Sequence, residues 1–325
     1  MSADPARFQS VLSALLEKFL QEKHACGYAY HEATRILRHL DSFLLQEGLA
    51  TDELPGSLAR KWLAKKAHES ARTHQQRITV FRQFSRFLVR LGYSAYVPDS
   101  TVAARNRSTF VPRMLSDEEL RKFLQALDAL EPTARSPLRH LVMPEVFRLL
   151  YGCGFRVREV LKLRVRDVDL SQGIITVRQG KFRKDRLVPP ALPLVNRLQK
   201  YAARLENRPP DAIFFPGPSG GPFSLRSAYT LFRRLLLQCG IPHAGRGKGP
   251  RIHDARHLFA VRVLRRWYQD GEDLDAKLPL LATYLGHRDL SGTQRYLHLT
   301  AELFPEITAR SDAAFGDVIP RRIES

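Results

Sequence analysis

Six scattered side chains have types that together suit nucleophilic attack on a phosphodiester. Two arginines and a lysine supply fixed positive charge for phosphate oxygens that gain negative charge in a pentacoordinate transition state. A tyrosine hydroxyl can attack phosphorus and form a covalent ester, and histidines can move or hold protons near neutral pH. The six are Arg156, Lys181, His253, Arg256, His287 and Tyr296. The set lacks the clustered carboxylates that a two-metal nuclease needs.

Each of the six lies in a short local motif. The motifs are GFRVRE around Arg156, GKFRKDR around Lys181, HDARH from His253, LGH ending at His287 and TQRY ending at Tyr296. In order, spacing and flanking residues they resemble the active site of the tyrosine recombinases, the family of phage integrases and Xer proteins. The resemblance covers the whole chain and is strongest from Leu115 to Glu306.

The resemblance implies that two arginines bind the phosphate at which a strand is cut. Arg156 resembles the first of them and Arg256 the second. Glu159 resembles the acidic residue that supports the site, and on a helix it would share a face with Arg156. The family usually has a small residue where Arg158 stands, a departure that we expect to affect only the surface.

The resemblance also assigns the nucleophile and the residues that move protons. Tyr296 would attack phosphorus, His253 would act on protons near it, and His287 would donate to a phosphate oxygen. Lys181 follows a glycine in a basic turn and would protonate the departing 5′ oxygen as general acid. Lys184 lies in the same turn and is the alternative for that role.

A zinc site is the competing interpretation of the HDARH motif. His253 and His257 are four residues apart, so on a helix they could bind one zinc ion. The zinc motif has a glutamate after its first histidine, where this chain has Asp254, and no third ligand has a recognisable spacing. We therefore favour the recombinase interpretation, without metal, and expect His257 to be a structural core residue.

The charge of the chain indicates a polyanionic partner. The 325 residues carry a formal net charge of +19, and 44% of them are hydrophobic, as in a folded protein of two domains. A surplus of this size favours nucleic acid over a merely basic soluble enzyme. The charge alone does not distinguish DNA from RNA.

The cysteine content indicates a reducing compartment. Cys26, Cys153 and Cys239 are far apart and predict neither a disulfide framework nor a zinc module, so each is expected to be a small buried residue. No signal peptide and no apolar stretch of membrane-spanning length is visible. We expect a cytoplasmic protein without a membrane partner.

Apolar side chains in the N-terminal part repeat at helical spacing, which predicts a small helical bundle. The resemblance implies a helical, SAM-like DNA-binding domain over residues 1–98, a basic linker over 99–113 and a catalytic domain with a C-terminal tail over 114–325. The residues expected to contact DNA are Arg82, Arg86, Arg90, Arg105, Arg107, Arg183 and Lys184. For the stripe of Arg82, Arg86 and Arg90, the alternative is a solvated helix face.

The second domain contains clear local signals. Ser116 and Glu119 form a capping box pattern ahead of a helix, with Leu115 and Leu120 as its hydrophobic staple. Further helices are expected over residues 146–153 and 224–240. Residues 173–178 and 185–188 predict a hairpin with Lys181 near its tip. The fold class is therefore mainly α with a small antiparallel sheet.

Taken with the resemblance, these features predict a site-specific DNA recombinase. It would cleave duplex DNA through a 3′-phosphotyrosine and keep the bond energy in that ester, so that it needs no nucleotide cofactor. Recombination of two duplexes implies self-association to a tetramer on DNA. The two-domain layout suits Xer-like, integron-like and transposon-borne enzymes, among which we favour a recombinase of a mobile element. The alternatives are a non-catalytic DNA-binding or architectural protein on the same fold, and a type IB topoisomerase-like activity.

Overall fold

The computed structural model describes residues 8–99, 112–178, 185–205, 208–243, 245, 249–287, 289–290, 292–294 and 296–297. The chain divides into two compact units, Met1–Thr109 and Phe110–Ser325. Most of the described residues are helical, and the strands form one antiparallel sheet of three strands. The predicted fold class, mainly α with a small antiparallel sheet, is confirmed.

Helices make up the N-terminal unit, and their apolar faces meet in one core. They are α1 (Ser13–Ala25), α2 (His31–Gln46), α3 (Gly56–Leu63) and α4 (Ala71–Arg90). Aromatic rings fill the centre, with Phe19 against both Phe84 and Phe87 at centroid distances of 5.6 and 5.3 Å. The Ser70 hydroxyl accepts a hydrogen bond from the Thr73 amide and so caps the start of α4.

Among the described residues of this unit, Arg77 of α4 is buried together with the side chain of its carboxylate partner. Arg77 Nε donates to Glu69 Oε1 at 2.9 Å, and Nη2 donates to Glu69 Oε2 at 2.6 Å. The remaining donors reach the carbonyl oxygens of Trp62 and Ala64. Both charged side chains are less than a tenth exposed. The pair holds the start of α4 to the end of α3.

Helix α6 is the central helix among those that the structure describes in the C-terminal unit. These helices are α5 (Asp117–Asp128), α6 (Arg139–Cys153), α7 (Val157–Leu161), α8 (Leu192–Ala203), α9 (Leu225–Gln238), α10 (Asp254–Gln269) and α11 (Leu274–Leu285). Helix α6 contacts α5, α8 and α10 and is buried along most of its length. The predicted capping box of α5 is present, with Ser116 and Glu119 each accepting from the other's amide.

The small sheet lies between α7 and α8 in the chain. Its strands are β1 (Val168–Asp169), β2 (Ile174–Val177) and β3 (Arg186–Val188), in the order β1-β2-β3. Strands β2 and β3 are antiparallel, with Val177 opposite Arg186, as the predicted hairpin requires. Strand β1 was not predicted. The hairpin tip, residues 179–184, lies outside the described residues.

Two further findings concern cysteines and membranes. Cys153 is buried as predicted, but Cys26 is exposed, because it follows the last turn of α1 at the surface. None of the helices in the described ranges combines the length and apolar character needed to cross a bilayer.

Candidate active site

The first arginine of the site is placed by a sharp end to helix α6. Gly154 has φ 64°, and a Cβ there would lie 2.6 Å from Phe259 Cδ1, so only glycine fits. Arg156 then caps helix α7, and its amide donates to Glu159 Oε2 at 2.9 Å. The expected shared helix face is therefore corrected: Arg156 precedes α7, and Glu159 in its first turn folds back to it. Arg156 Nη1 also donates to Glu159 Oε1 at 2.8 Å.

Glu159 has a second arginine partner, Arg186 of β3, which the sequence interpretation missed. Arg186 Nη1 and Nη2 donate to the two oxygens of Glu159 at 3.0 and 2.7 Å. Each of these two side chains is only 8% exposed, so the fork is shielded from water. A signal was present in the alternation of strand β3, where Arg186 shares a face with buried Val188 while Leu187 is exposed.

Glu159 is held ionised by this double contact. Burial alone would raise the pKa of the Glu159 carboxyl, but hydrogen bonds and charge from Arg186, together with hydrogen bonds from Arg156, lower it to about 2. Both carboxylate oxygens are engaged by guanidinium groups. Glu159 is thus an orienting anion for arginines rather than an acid or base at neutral pH.

Arg256, in the first turn of α10, is the most deeply buried of the site's described cations. It is 1% exposed. Its Nη1 donates to the Gly154 carbonyl at 2.8 Å, and its Nη2 donates to the Leu285 carbonyl. Within the described part of the chain it forms no salt bridge. Burial, followed by the charge of Arg156, lowers the pKa of Arg256 to about 10.

His287 follows the end of α11, where Gly286 has φ 68°. A Cβ atom added at Gly286 would lie 2.9 Å from Arg186 Cδ. The Nδ1 atom of His287 is hydrogen-bonded to the buried Thr293 hydroxyl at 2.7 Å. Burial, then the charges of Arg256, Arg156 and Arg186, lower the pKa of His287 to about 4. His287 is therefore a neutral imidazole at pH 7.

Tyr296 is buried between two histidine rings. It is 3% exposed, and its ring centroid lies 5.8 Å from that of His287 and 5.4 Å from that of His257. The His253 ring in turn lies 5.2 Å from the His257 ring. The pKa of His253 is lowered by burial and by Arg256, so His253 also favours its neutral form. His257 is buried, in keeping with a core position.

The structure thus brings together five of the six predicted catalytic residues: Arg156, His253, Arg256, His287 and Tyr296. The sixth, Lys181, lies outside the described residues, as do its alternative Lys184 and Arg183. Among the described residues there is no group of three or more histidine, cysteine or acidic side chains that could hold a metal ion.

The residues predicted to contact DNA in the N-terminal unit have different surroundings. On α4, Arg86 is exposed, Arg82 is half-buried, and Arg90 forms an ion pair with Glu22 of α1. Arg105 and Arg107 of the predicted linker lie outside the described residues.

The chain is similar to known proteins in sequence. The model of the phage integrase family matches residues 113–302. A Sinorhizobium fredii protein with the provisional name integrase/recombinase y4rE is 32% identical over 312 residues, which span 94% of this chain and 97% of the relative. The tyrosine recombinase XerC of Oceanobacillus iheyensis is 31% identical over 90% of this chain and 93% of its own length.

A solved structure shares the fold. The XerH site-specific recombinase bound to its palindromic difH substrate, in a post-cleavage complex, superposes with a TM-score of 0.64 at 19% identity. The match covers 92% of this chain and 83% of XerH. With the family model spanning more than half of the sequence and relatives aligned over nearly all of it, this chain belongs to the phage integrase family.

Proposed function

We propose that this chain, a site-specific DNA recombinase of the phage integrase family, cuts and rejoins DNA strands through a 3′-phosphotyrosine at Tyr296. The observation that carries the proposal is a surplus of positive charge beside that tyrosine. Arg156 and Arg186 both bind the carboxylate of Glu159, and Arg256 adds a third positive charge nearby, so these four groups carry three positive charges and one negative charge. A phosphodiester brings one negative charge and gains a second as its transition state forms.

The cleavage step can be written for these residues. The Tyr296 hydroxyl attacks phosphorus, the bond from phosphorus to the 5′ oxygen breaks, and the phosphoryl group stays on the tyrosine as a 3′ ester. His253, which favours its neutral form, is suited to accept the phenolic proton. The departing 5′ oxygen takes a proton from the hairpin lysine, Lys181 or Lys184. Attack by a 5′ hydroxyl of a partner strand reverses these steps and joins the strands.

The guanidinium groups and His287 would hold the phosphate during this step. Arg156 and Arg256 would donate to its non-bridging oxygens, where charge accumulates. Because His287 is neutral, its Nε2 carries the proton when Nδ1 accepts from the Thr293 hydroxyl. In that tautomer His287 is a hydrogen-bond donor to phosphate and adds no further positive charge.

Duplex DNA is the proposed partner, with four protomers assembled on two duplexes because each protomer cuts one strand. Exposed cations support DNA binding in both units. Arg86 lies on α4, and Arg226 and Arg234 lie on α9, where the described part of the chain gives them no salt bridge. The layout of two units and the similarity to an integrase/recombinase favour a mobile element as the biological setting.

A suicide-substrate assay tests the nucleophile. The purified protein first selects its duplex from a random pool. A nick beside the cleavage point then lets the short fragment that carries the free 5′ hydroxyl diffuse away. Because religation is no longer possible, the covalent adduct is trapped. Tyr296→Phe should bind this duplex as tightly as the wild type and form no adduct on a denaturing gel. Tyr201→Phe is the matched control, because Tyr201 is also buried and donates to the Phe214 carbonyl.

Two outcomes would contradict the proposal. Adduct formation by Tyr296→Phe at the wild-type yield would remove Tyr296 from the chemistry. Absence of any adduct with the wild type on the selected duplex would favour an architectural DNA-binding role. Relaxation of supercoiled plasmids that lack the selected site would instead indicate a topoisomerase-like activity.

A further inference from the structure

Arg186 contacts the chain segments that lead to Arg156 and to His287, and it borders the segment that carries Lys181. Its fork holds Glu159, which in turn holds the amide and side chain of Arg156. Its Nε donates to the Tyr284 carbonyl at 3.0 Å, in the last turn of α11, just before His287. Arg186 itself is the first residue of β3, next to the hairpin tip that carries both candidate lysines.

The donor nitrogens of Arg186 are already hydrogen-bonded within the protein, so Arg186 is poorly suited to be a direct phosphate ligand. Its side chain is 8% exposed, and Nε, Nη1 and Nη2 each donate to an acceptor within the protein. The aliphatic part of the side chain fills the space beside Gly286, where even a Cβ would come within 2.9 Å of Arg186 Cδ. Phe155 lies on another side, with its ring 5.8 Å from the guanidinium carbon.

We propose that Arg186 is a positioning residue of the recombinase: through Glu159 it orients Arg156, and through Tyr284 it fixes the end of α11 that leads into His287. The role depends on a planar fork with donors in two directions, because one edge meets both oxygens of Glu159 while Nε meets the carbonyl. Lysine has the charge but not the fork. The proposal rests on the proposed function, since it concerns how the same site is held.

The test compares two arginines that each donate two hydrogen bonds to a buried glutamate. Arg197 of α8 also forks onto a buried glutamate, with Nε and Nη2 donating to Glu145 at 3.2 and 2.7 Å. Glu145 is 7% exposed, close to the 8% of Glu159. Arg197 itself is more exposed than Arg186, at 44% against 8%. Arg197→Met therefore removes the arginine partner of a similarly buried glutamate without involving any of the proposed catalytic residues, and it controls for the stability lost when such a glutamate is left unpaired.

Single-turnover adduct formation on the suicide substrate and the Kd for the uncut duplex are measured for each variant. Arg186→Met should slow adduct formation by about 10²-fold, the scale of a misplaced catalytic group, and leave Kd within error. Arg186→Lys should keep most of that loss, and it serves as the second variant if Arg186→Met does not fold. Arg197→Met should react at the wild-type rate while lowering the melting temperature.

A double-mutant cycle identifies the route of the effect. If Arg186 acts through Glu159, then Arg186→Met combined with Glu159→Gln should react no more slowly than the worse single variant. If the rate losses of the two single variants instead multiply in the double variant, Arg186 does not act through Glu159. A full rate with Arg186→Lys would show that charge alone suffices, and a raised Kd with an unchanged rate would show direct DNA contact. A wild-type chain without adduct would instead defeat the proposed function, which separates the two failures.

Discussion

The two units each bury an arginine, and the two arginines differ in what surrounds them. Arg77 in the N-terminal unit meets both oxygens of Glu69, and Glu69 is as buried as the arginine. Arg256 in the C-terminal unit is more deeply buried, at 1% against 5% exposed, yet its hydrogen bonds go to two backbone carbonyls. The nearby Glu159 is engaged by Arg156 and Arg186.

The different partners of the two arginines suggest different roles: Arg77 is part of a structural ion pair, whereas Arg256 is suited to bind an anionic ligand. Removing a cation from water costs several kcal/mol, and a hydrogen-bonded carboxylate in place offsets that cost for Arg77. Carbonyl dipoles offset less, and the lowered pKa of Arg256 is the physical sign of the remainder. The bound phosphodiester would supply the missing anion. Stability and function should therefore respond in opposite ways when the two arginines are removed.

The largest effect is expected for Arg256→Gln. This variant keeps polar groups near the two carbonyls but removes the charge that stabilises the transition state. Adduct formation on the suicide substrate should fall by about 10³-fold or more, the usual contribution of an arginine to phosphoryl transfer. The free energy of unfolding should fall by less in Arg256→Gln than in Arg77→Met. The reason is that Arg256→Gln removes a buried charge that has no carboxylate partner, and so also removes the cost of burying it. An adduct rate within tenfold of the wild type would contradict the comparison.

Arg77→Met should show the opposite pattern. It leaves Glu69 buried without its partner, so the free energy of unfolding of the N-terminal unit should fall by about 3–5 kcal/mol. Trp62 contacts the Arg77 guanidinium, and Trp62 becomes the sole reporter in a Trp267→Phe background, because the chain has two tryptophans. Urea unfolding followed by its fluorescence gives the loss. The adduct rate per folded molecule should stay unchanged. A rate loss near that of Arg256→Gln would contradict the distinction between a structural Arg77 and a catalytic Arg256.

Sequence patterns predicted the elements that depend on local chemistry. The capping box of α5 and the hairpin of β2 and β3 rest on neighbouring residues, and both are present. The motif resemblance also selected Arg156, Arg256, His287 and Tyr296, which the structure brings to one place.

Long-range partners were beyond the reach of the sequence. The carbonyl of Gly154 lies 102 residues from Arg256 in the chain, and no residue type marks a carbonyl as an acceptor. Arg186 received no role from its sequence pattern, because its partner Glu159 lies 27 residues away in the chain. Which buried arginine has a carboxylate, and which has none, therefore emerged only from the fold.

The smallest predicted effect concerns His287, whose pKa is lowered first by burial and then by the positive charge of the nearby arginines. In the unfolded chain its pKa is near the ordinary value of 6.5, whereas in the fold burial and three arginines lower it to about 4. As the pH falls below 6.5, the unfolded chain binds a proton that the folded chain does not, so the folded state loses stability down to about pH 4. His287→Gln should reduce the loss of unfolding free energy between pH 7 and pH 5, measured by urea titration.

Arg256→Gln should raise the pKa of His287, observed by NMR titration, while Arg197→Met should leave it unchanged. A His287 pKa that stays near 4 in Arg256→Gln would assign its shift to burial and to Arg156 and Arg186, and it would remove this evidence for an unpaired Arg256 charge.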